Sequence, residues 1–441
     1  MARPGEYNAV RRSKLAASEI KSTLFDTGGQ LKLGRRHRPD YFLVVLIAAI
    51  ALTGLVVLFS ISPAWVEVIN SAGNDLDQSH FMQRQIIYLL IGFLAFFAAS
   101  RVPLDFWRRW STRILIVTFT LCLLVPILGA LGSGLVICTS GACRWYNLGI
   151  ATFQPAEFLK VGTLIFTSGF LAVQTMRGKL NAVRETLVPL GLVMLAVLFV
   201  IVILQNDLGT GVTIIAITLT QLFISGAKLK TIGLSLAAVA AAGVLAIAVA
   251  PHRITRVLTF VGNDGISAGA TYHIDQALIA LGSGGVTGRG LGQSVQAFGW
   301  LPEAVNDSIF AILGESFGFI GLVVILGAFL ALLARVLRKV DFLENMFLRL
   351  IVAGVFGWLA AHLVVNVGAM IGMLPLTGIT LPLLSFGGTS MIAIMSSLGI
   401  VLAISRYTSH RKIINEKGDA DADIVRRRGL RRTHYAGRRS Y

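Results

Sequence analysis

Long apolar runs separated by short polar breaks set the pattern of this chain. They fall at about 41–62, 84–100, 114–134, 157–175, 187–204, 208–226, 232–250, 308–334, 350–372 and 387–405. A hydrocarbon core of about 30 Å takes roughly 20 apolar residues as a helix, a length that several of these runs meet. The alternation of a membrane barrel is missing, which leaves helices as the spanning solution. The pattern predicts an all-α integral membrane protein with about ten transmembrane helices. The second run is short and needs its flanking residues. The fifth and sixth are divided only by Gln205, Asn206 and Asp207.

Residues 1–40 and 408–441 are polar, basic and poor in large apolar side chains, and they read as disordered tails. About 40 polar residues precede the first run, so that run reads as an uncleaved anchor rather than a signal peptide. No internal repeat marks a transporter built from inverted halves. Of 441 residues 39 are Lys or Arg and 22 are Asp or Glu, a net charge of +17 concentrated in the two tails. That excess fits a cytoplasmic, positive-inside placement and attraction to anionic membrane lipid. Nucleic acid is not an expected partner, because RRRGLRR at 426–432 stands in no recognition fold.

The short connections give the orientation. Basic residues collect at 101–113, 177–184, 228–230 and 335–349, alternating correctly with both tails on one side. The opposite set holds the acidic stretch 67–77, the loop 135–156, the turn at Asp207, the long segment 251–307 and the loop near 373–386. That second face is expected to lie outside, with both termini cytoplasmic. Within it, Cys138 and Cys143 bracket CTSGAC, where a disulfide and two free thiols are equal alternatives.

Chemistry concentrates at 278–321, where a glycine-rich loop with Arg289, Glu303 and Asp307 runs into a helix starting near Ser308. Ionisable groups at a bilayer edge are costly, which makes each a candidate. The expected set is Arg144, Glu157, Lys160, Asp207, Arg253, Arg256, Arg289, Glu303 and Asp307, with Glu315 deeper as a buried partner for a cation. Glu157 and Lys160 share a helix face and can neutralise one another. Asn306, Asp307 and Ser308 are all good helix caps, a structural alternative to catalysis. Trp145 beside Arg144 suits either an interfacial anchor or contact with a sugar face and a phosphate. Ala311, Gly314 and Gly318 form a small-residue strip on the Asp307 face of a continuous helix.

Six segments then resemble one family. They are GACRWYNLG with FQPAEFLK in 141–160, LQNDLGT at 204–210, APHRITRVLTF at 250–260, ALIALGSGGVTGRGLGQSVQ at 277–296, LPEAVNDSIFAILGESFGFIG at 301–321 and GMLPLTGITLPLLSFGGTSM at 372–391. In order and topological place they are similar to the SEDS family of peptidoglycan glycosyltransferases. GRGLGQSVQ, FAILGE and TGITLPLLSFGG look more like the division member, FtsW, than the elongation member, RodA. The resemblance implies ten spans over about 41–407 in a bacterial cytoplasmic membrane, and polymerisation of lipid II on its outer face, at the division septum. It also implies a class B penicillin-binding protein and other divisome membrane proteins as partners.

Carried over by motif, Asp307 matches the aspartate treated as catalytic, Arg144 and Trp145 the loop pair, and Glu157 with Lys160 the QPSEFxK pair. Val305, Asn306, Ser308, Ser316, Asn206 and Phe386 depart from the family's usual histidine, threonine, phenylalanine, glutamate, proline and tyrosine. The lost histidine removes an imidazole from the Asp307 motif. In the expected reaction Asp307 is a general base or the ligand of a divalent cation, Mg or Mn, while Arg144, Lys160, Arg253 and Arg289 are the pool facing pyrophosphate. A lipid II flippase, an elongation-type polymerase and a scaffold are the alternatives. Polar groups crowded toward one face favour the polymerase over the flippase.

Overall fold

The computed structural model describes residues 37–248 and 268–407, apart from positions 72, 140 and 150. Each expected span finds a helix. They are α1 Tyr41–Ser71, α2 His80–Arg101, α3 Leu104–Ala130, α4 Pro155–Met176, α5 Val183–Leu204, α6 Leu208–Ile224 and α7 Leu229–Ala248. After α8 Ala268–Ser283 come α9 Ile309–Asp341, α10 Met346–Met370 and α11 Gly388–Ser405. Among the described residues eight are long and apolar enough to cross a membrane, and α6 and α7 are shorter apolar helices.

Three expectations change. The segment 251–307 is not wholly loop, because it carries α8. The loop 135–156 folds into a small antiparallel sheet, β1 Val136–Thr139, β2 Ala142–Asn147 and β3 Thr152–Phe153. Its β1–β2 tip is closed by a Cys138–Cys143 disulfide. The span at 308–334 is not a continuous helix: α9 breaks at Gly318, whose φ of 66° and ψ of −167° are outside helical space. Residues 1–36 and 408–441 of the tails and the expected cations Arg253 and Arg256 lie outside the described residues, whereas residues 37–40 of the first tail are described and Asp40 is buried there.

The break in α9 is satisfied by the glycine-rich loop before it. Arg289 N donates to Glu315 O at 2.9 Å and Gly290 N to Ser316 O at 3.0 Å, while Phe319 N and Ile320 N donate to Gly285 O and Val286 O. Backbone groups freed by a kink must find partners in a bilayer, and here they find a second strand of chain. Only glycine permits the contact. A Cβ on Gly318 would stand 2.3 Å from Gly288 N, and one on Gly288 would stand 2.3 Å from Ser316 O, each at positive φ.

Burial sorts the helices into a centre and a rim. In α4 89% of the core window is buried, against 22% in α2, α3 and α9. α4, α10 and α11 therefore form the centre, and the rim helices turn Leu, Ile, Val and Phe outward. On α1 the outward residues Phe42, Val45, Leu52, Val56 and Phe59 make a lipid-facing stripe.

The two ends of the bundle differ in charge. At one end Arg335 Nε and Lys339 Nζ reach Asp40 Oδ2 at 2.7 and 2.6 Å, clamping the start of α1 to the end of α9. The chain enters α1 and leaves α11 at this same end, where His37 N donates to Arg406 O at 2.6 Å. Asp307 precedes α9 and so belongs to the other end, together with the sheet and the turns before α6 and α11.

Candidate functional site

Residues 301–308 form a tight turn with Glu303 at a φ of 51°. Asn306 N and Ser308 N both donate to Glu303 O, at 2.9 and 3.2 Å, and this doubles the chain back so that Asp307 sits just ahead of α9. Three other elements hold the turn. Asn366 of α10 donates through Nδ2 to Asp307 O at 2.7 Å and to Ile379 O at 2.8 Å. Phe386 N donates to Val305 O at 2.9 Å. From α8, His273 Nε2 lies 2.7 Å from Ser308 Oγ, which itself donates to Pro302 O. Since that hydroxyl proton is engaged, His273 is the donor to Ser308, and burial lowers its tendency to protonate.

The Asp307 carboxylate takes hydrogen bonds from its own backbone and from Ser308, but one of its oxygens is left without a partner. Its backbone carbonyl, not its side chain, is the anchor, and Oδ1 is shielded from solvent with no hydrogen-bond partner. Burial, followed by the nearby negative charge of Glu303, pushes its pKa up to about 7. A carboxyl balanced there can take a proton near neutral pH. Oδ2 faces the turn at Gly378, where a Cβ would stand 3.9 Å away.

The other expected residues divide into two groups. Arg144 on β2 donates from Nε to Gln205 O at 2.8 Å and from Nη2 to Asn206 O at 2.6 Å, bracing the bend between α5 and α6. Asn206 has a φ of 53° there. Asp207 caps α6 through Thr210 N and Thr210 Oγ1, both at 2.9 Å. Gly209 then abuts Thr377 O and Ile379, so this cluster meets the segment that faces Asp307. Trp145, opposite Ile137 in the sheet, is half-buried.

Glu157 and Lys160 are sealed in the protein. Lys160 is 1% exposed. Its Nζ lies 2.8 Å from Glu157 Oε2, 5.0 Å from the centre of the Trp358 ring and 3.3 Å from His362 Nε2. Trp358 Nε1 donates to the same His362 nitrogen, and His362 Nδ1 lies 3.0 Å from Thr380 O. Two donors on Nε2 and a carbonyl on Nδ1 define a neutral imidazole protonated at Nδ1. These residues hold α4, α10 and the 377–380 segment together. Arg289 is paired with Glu315 at 3.3 Å, yet its side chain is 43% exposed. Glu315 is fully buried, the cation's partner expected of it. Glu303 is exposed and accepts from Asn306 Nδ2.

Sequence reasoning passed over His273, Asn366 and His362. A uniform search for polar groups inside apolar spans, not only ionisable ones, finds Asn366 and His362. Nothing local signals His273, because its partner is 35 residues away.

Residues 41–410 match the family described as cell cycle protein, FtsW/RodA/SpoVE. The chain belongs to that family. Stage V sporulation protein E of Bacillus subtilis (strain 168) is 33% identical over 85% of this chain and 99% of its own length. The probable peptidoglycan glycosyltransferase FtsW of Escherichia coli O6:H1 is 35% identical over 76% of this chain and 80% of its own. Among solved structures, the rod shape determining protein RodA of Thermus thermophilus matches with a TM-score of 0.60 and 26% identity, over 84% of this chain and 98% of RodA. A chain from a structure of polymerization and crosslinking by a peptidoglycan synthase complex matches with a TM-score of 0.65 and 25% identity, over 83% of this chain and 98% of its own.

Among the described residues no three His, Cys, Asp or Glu converge on a metal position. Mg or Mn held by one or two carboxylates and substrate phosphate needs less than that, and the unpartnered Oδ1 of Asp307 is the atom suited to it.

Proposed function

We propose that this chain is a peptidoglycan glycosyltransferase that joins lipid II units into glycan strands on the outer face of the bacterial cytoplasmic membrane, in septal wall synthesis. A class B penicillin-binding protein crosslinks the strands beside it, within a group of divisome membrane proteins. The observation that carries the reading is the Asp307 carboxylate, one oxygen of which is buried and unpartnered on a turn held by three neighbouring elements, in a chain of the FtsW/RodA/SpoVE family.

In the reaction, the carboxylate takes the proton of an acceptor sugar hydroxyl. The oxygen bonds to the anomeric carbon of the donor, and the bond from that carbon to the lipid pyrophosphate breaks. Arg289 and Arg144 keep surface toward solvent and supply charge toward the departing pyrophosphate, with Arg253 as a third cation and Trp145 as a platform for a sugar. Lys160 and Glu157 position the 377–380 segment. A divalent cation at Asp307, when bound, offsets pyrophosphate charge.

Two features support the outer face. The basic connections gather at the end opposite Asp307, and the Cys138–Cys143 disulfide at the Asp307 end suits an oxidising compartment. The buried charges Glu157, Lys160 and Asp207 also belong to that end; Glu315, deeper, is the main exception, and Asp40 at the opposite end is neutralised by Arg335 and Lys339, an arrangement that favours polymerisation over flipping.

The test is purified chain in vesicles with labelled lipid II, with and without the penicillin-binding protein, scoring glycan product and lipid translocation separately. Glycan strands are expected, longer or more abundant with the partner; translocation without any polymer would reject the reading. Replacing Glu303 with Gln supplies a second check. The negative charge beside Asp307 raises its pKa, so its removal lowers that pKa, and the acid limb of the rate profile moves to lower pH. Burial is the larger cause and persists, so the limb stays above the ordinary aspartate value of 3.8. An unmoved limb would detach Glu303 from the titrating group.

A further inference from the structure

At the end of the bundle opposite Asp307 lies a cavity of about 420 Å³ lined by His37, Pro39, Tyr41, Arg101 and Arg406. Its two cations come from the end of α2 and the end of α11, and the approach to α1 supplies the remaining wall. Basic side chains at helix C-termini complement the helix dipole, and that alone would explain Arg101 and Arg406. It does not explain the space between them, or the Nε of Arg406, which is buried without a hydrogen-bond partner. A buried guanidinium N–H lacking an acceptor is costly, and an anion in the cavity would remove the cost.

The walls say which kind of anion. The nearest buried carboxylate, Asp40, is already held by Arg335 and Lys339 and does not line the cavity. Tyr41 is 66% exposed at its mouth, and directly along α1 runs the outward stripe of Phe42, Val45 and Leu52. On α2 Phe97, Leu94 and Leu90 are likewise exposed in the turns leading to Arg101. A pocket of cations opening onto apolar, lipid-facing helices matches an amphiphile with a negative head and hydrocarbon tails.

We infer that this cavity is a binding site for the phosphodiester headgroup of an anionic phospholipid, with Arg101 and Arg406 on the phosphate and the acyl chains lying along α1 and α2. The site is separate from the Asp307 turn. α9 links the two ends, and its part beyond the Gly318 break alone, from Phe319 to Arg335, spans about 24 Å in 16 residue steps of 1.5 Å each. It ties the resting place of the chain to the charge of the surrounding leaflet.

The experiment takes the full chain from vesicles of phosphatidylglycerol and phosphatidylcholine in equal parts and counts retained lipid by native mass spectrometry. Wild type is expected to retain phosphatidylglycerol selectively. The Arg101→Gln, Arg406→Gln double variant should lose about a hundredfold in that selectivity, roughly tenfold for each charge-assisted contact. Lys228→Gln with Lys230→Gln, which removes two exposed cations outside the cavity, should leave it unchanged. Equal losses in both double variants would overturn the site, reducing it to general surface attraction. Inorganic phosphate that displaces the lipid at equal concentration would overturn the lipid as occupant in favour of a free anion. A phosphatidylglycerol with a photoreactive headgroup, applied to the unaltered chain, avoids any folding defect of the variants. Crosslinks at 37–41 or 101 support the site, and crosslinks confined elsewhere reject it.

Discussion

Asp307→Asn is expected to lower lipid II polymerisation by about two to four orders of magnitude, the range of a lost general base. The fold should persist, because Asn366 grips the backbone carbonyl of residue 307 and Oδ1 has no protein partner to lose. The sign of the pH dependence follows from the raised pKa. Between the ordinary value of 3.8 and about 7 the folded protein holds a proton at Asp307 that the unfolded chain has released. The group therefore works against stability as pH rises through that window, and the Asn variant is relieved of this effect. Gel-resolved glycan product and the thermal midpoint, measured together from pH 5 to 8, check both halves, as a ~tenfold fall in wild-type rate per pH unit should begin below about 7. A variant that polymerises normally would exclude Asp307 from the chemistry, and one that unfolds at lower temperature would return it to a capping role.

Glu315→Ala is expected to show the largest loss of stability. The buried carboxylate accepts from Ser294 Oγ at 2.6 Å, Val295 N at 2.9 Å, Gln296 N at 3.3 Å and Arg289 Nη1 at 3.3 Å. Its removal strands two backbone donors and a hydroxyl in the interior, at about 1–3 kcal/mol for each unsatisfied group. The Arg289 share is small, because that guanidinium is part-exposed and rehydrates. A loss of about 3 kcal/mol or more follows, while Glu315→Gln keeps an acceptor and should lose less. Thermal unfolding in detergent, with limited proteolysis at 284–300 as a local readout, distinguishes the two variants. An Ala variant as stable as wild type would show that the loop is held by the α9 break alone.

The spans were legible because each is a long apolar run, and even the fifth and sixth part where the sequence places Gln205, Asn206 and Asp207. The break at Gly318 was not. Glycine is common where membrane helices pack closely, so its presence in a run carries no sign of a kink. Only the partner loop shows it, and that loop lies about 30 residues upstream, beyond any helical period. The sheet was hidden for another reason: strands of four, six and two residues are too short for alternation to register. At the site, Asp307 stood out by type and place. Glu157 and Lys160 stood out equally, yet their spacing was compatible with mutual neutralisation, and the structure gives them that arrangement.

The segment Thr377–Thr380 touches Gly209, Asn366, His362 and the surroundings of Asp307. Three elements distant in sequence, α6, α10 and the Asp307 turn, thus share one short piece of backbone as a common reference. Sequence change at any of them is consequently constrained by the other two: a substitution tolerated in one relative should fail when moved alone into another and recover when its counterparts travel with it. Evolutionary drift at this end of the bundle is expected to proceed in coordinated sets rather than site by site.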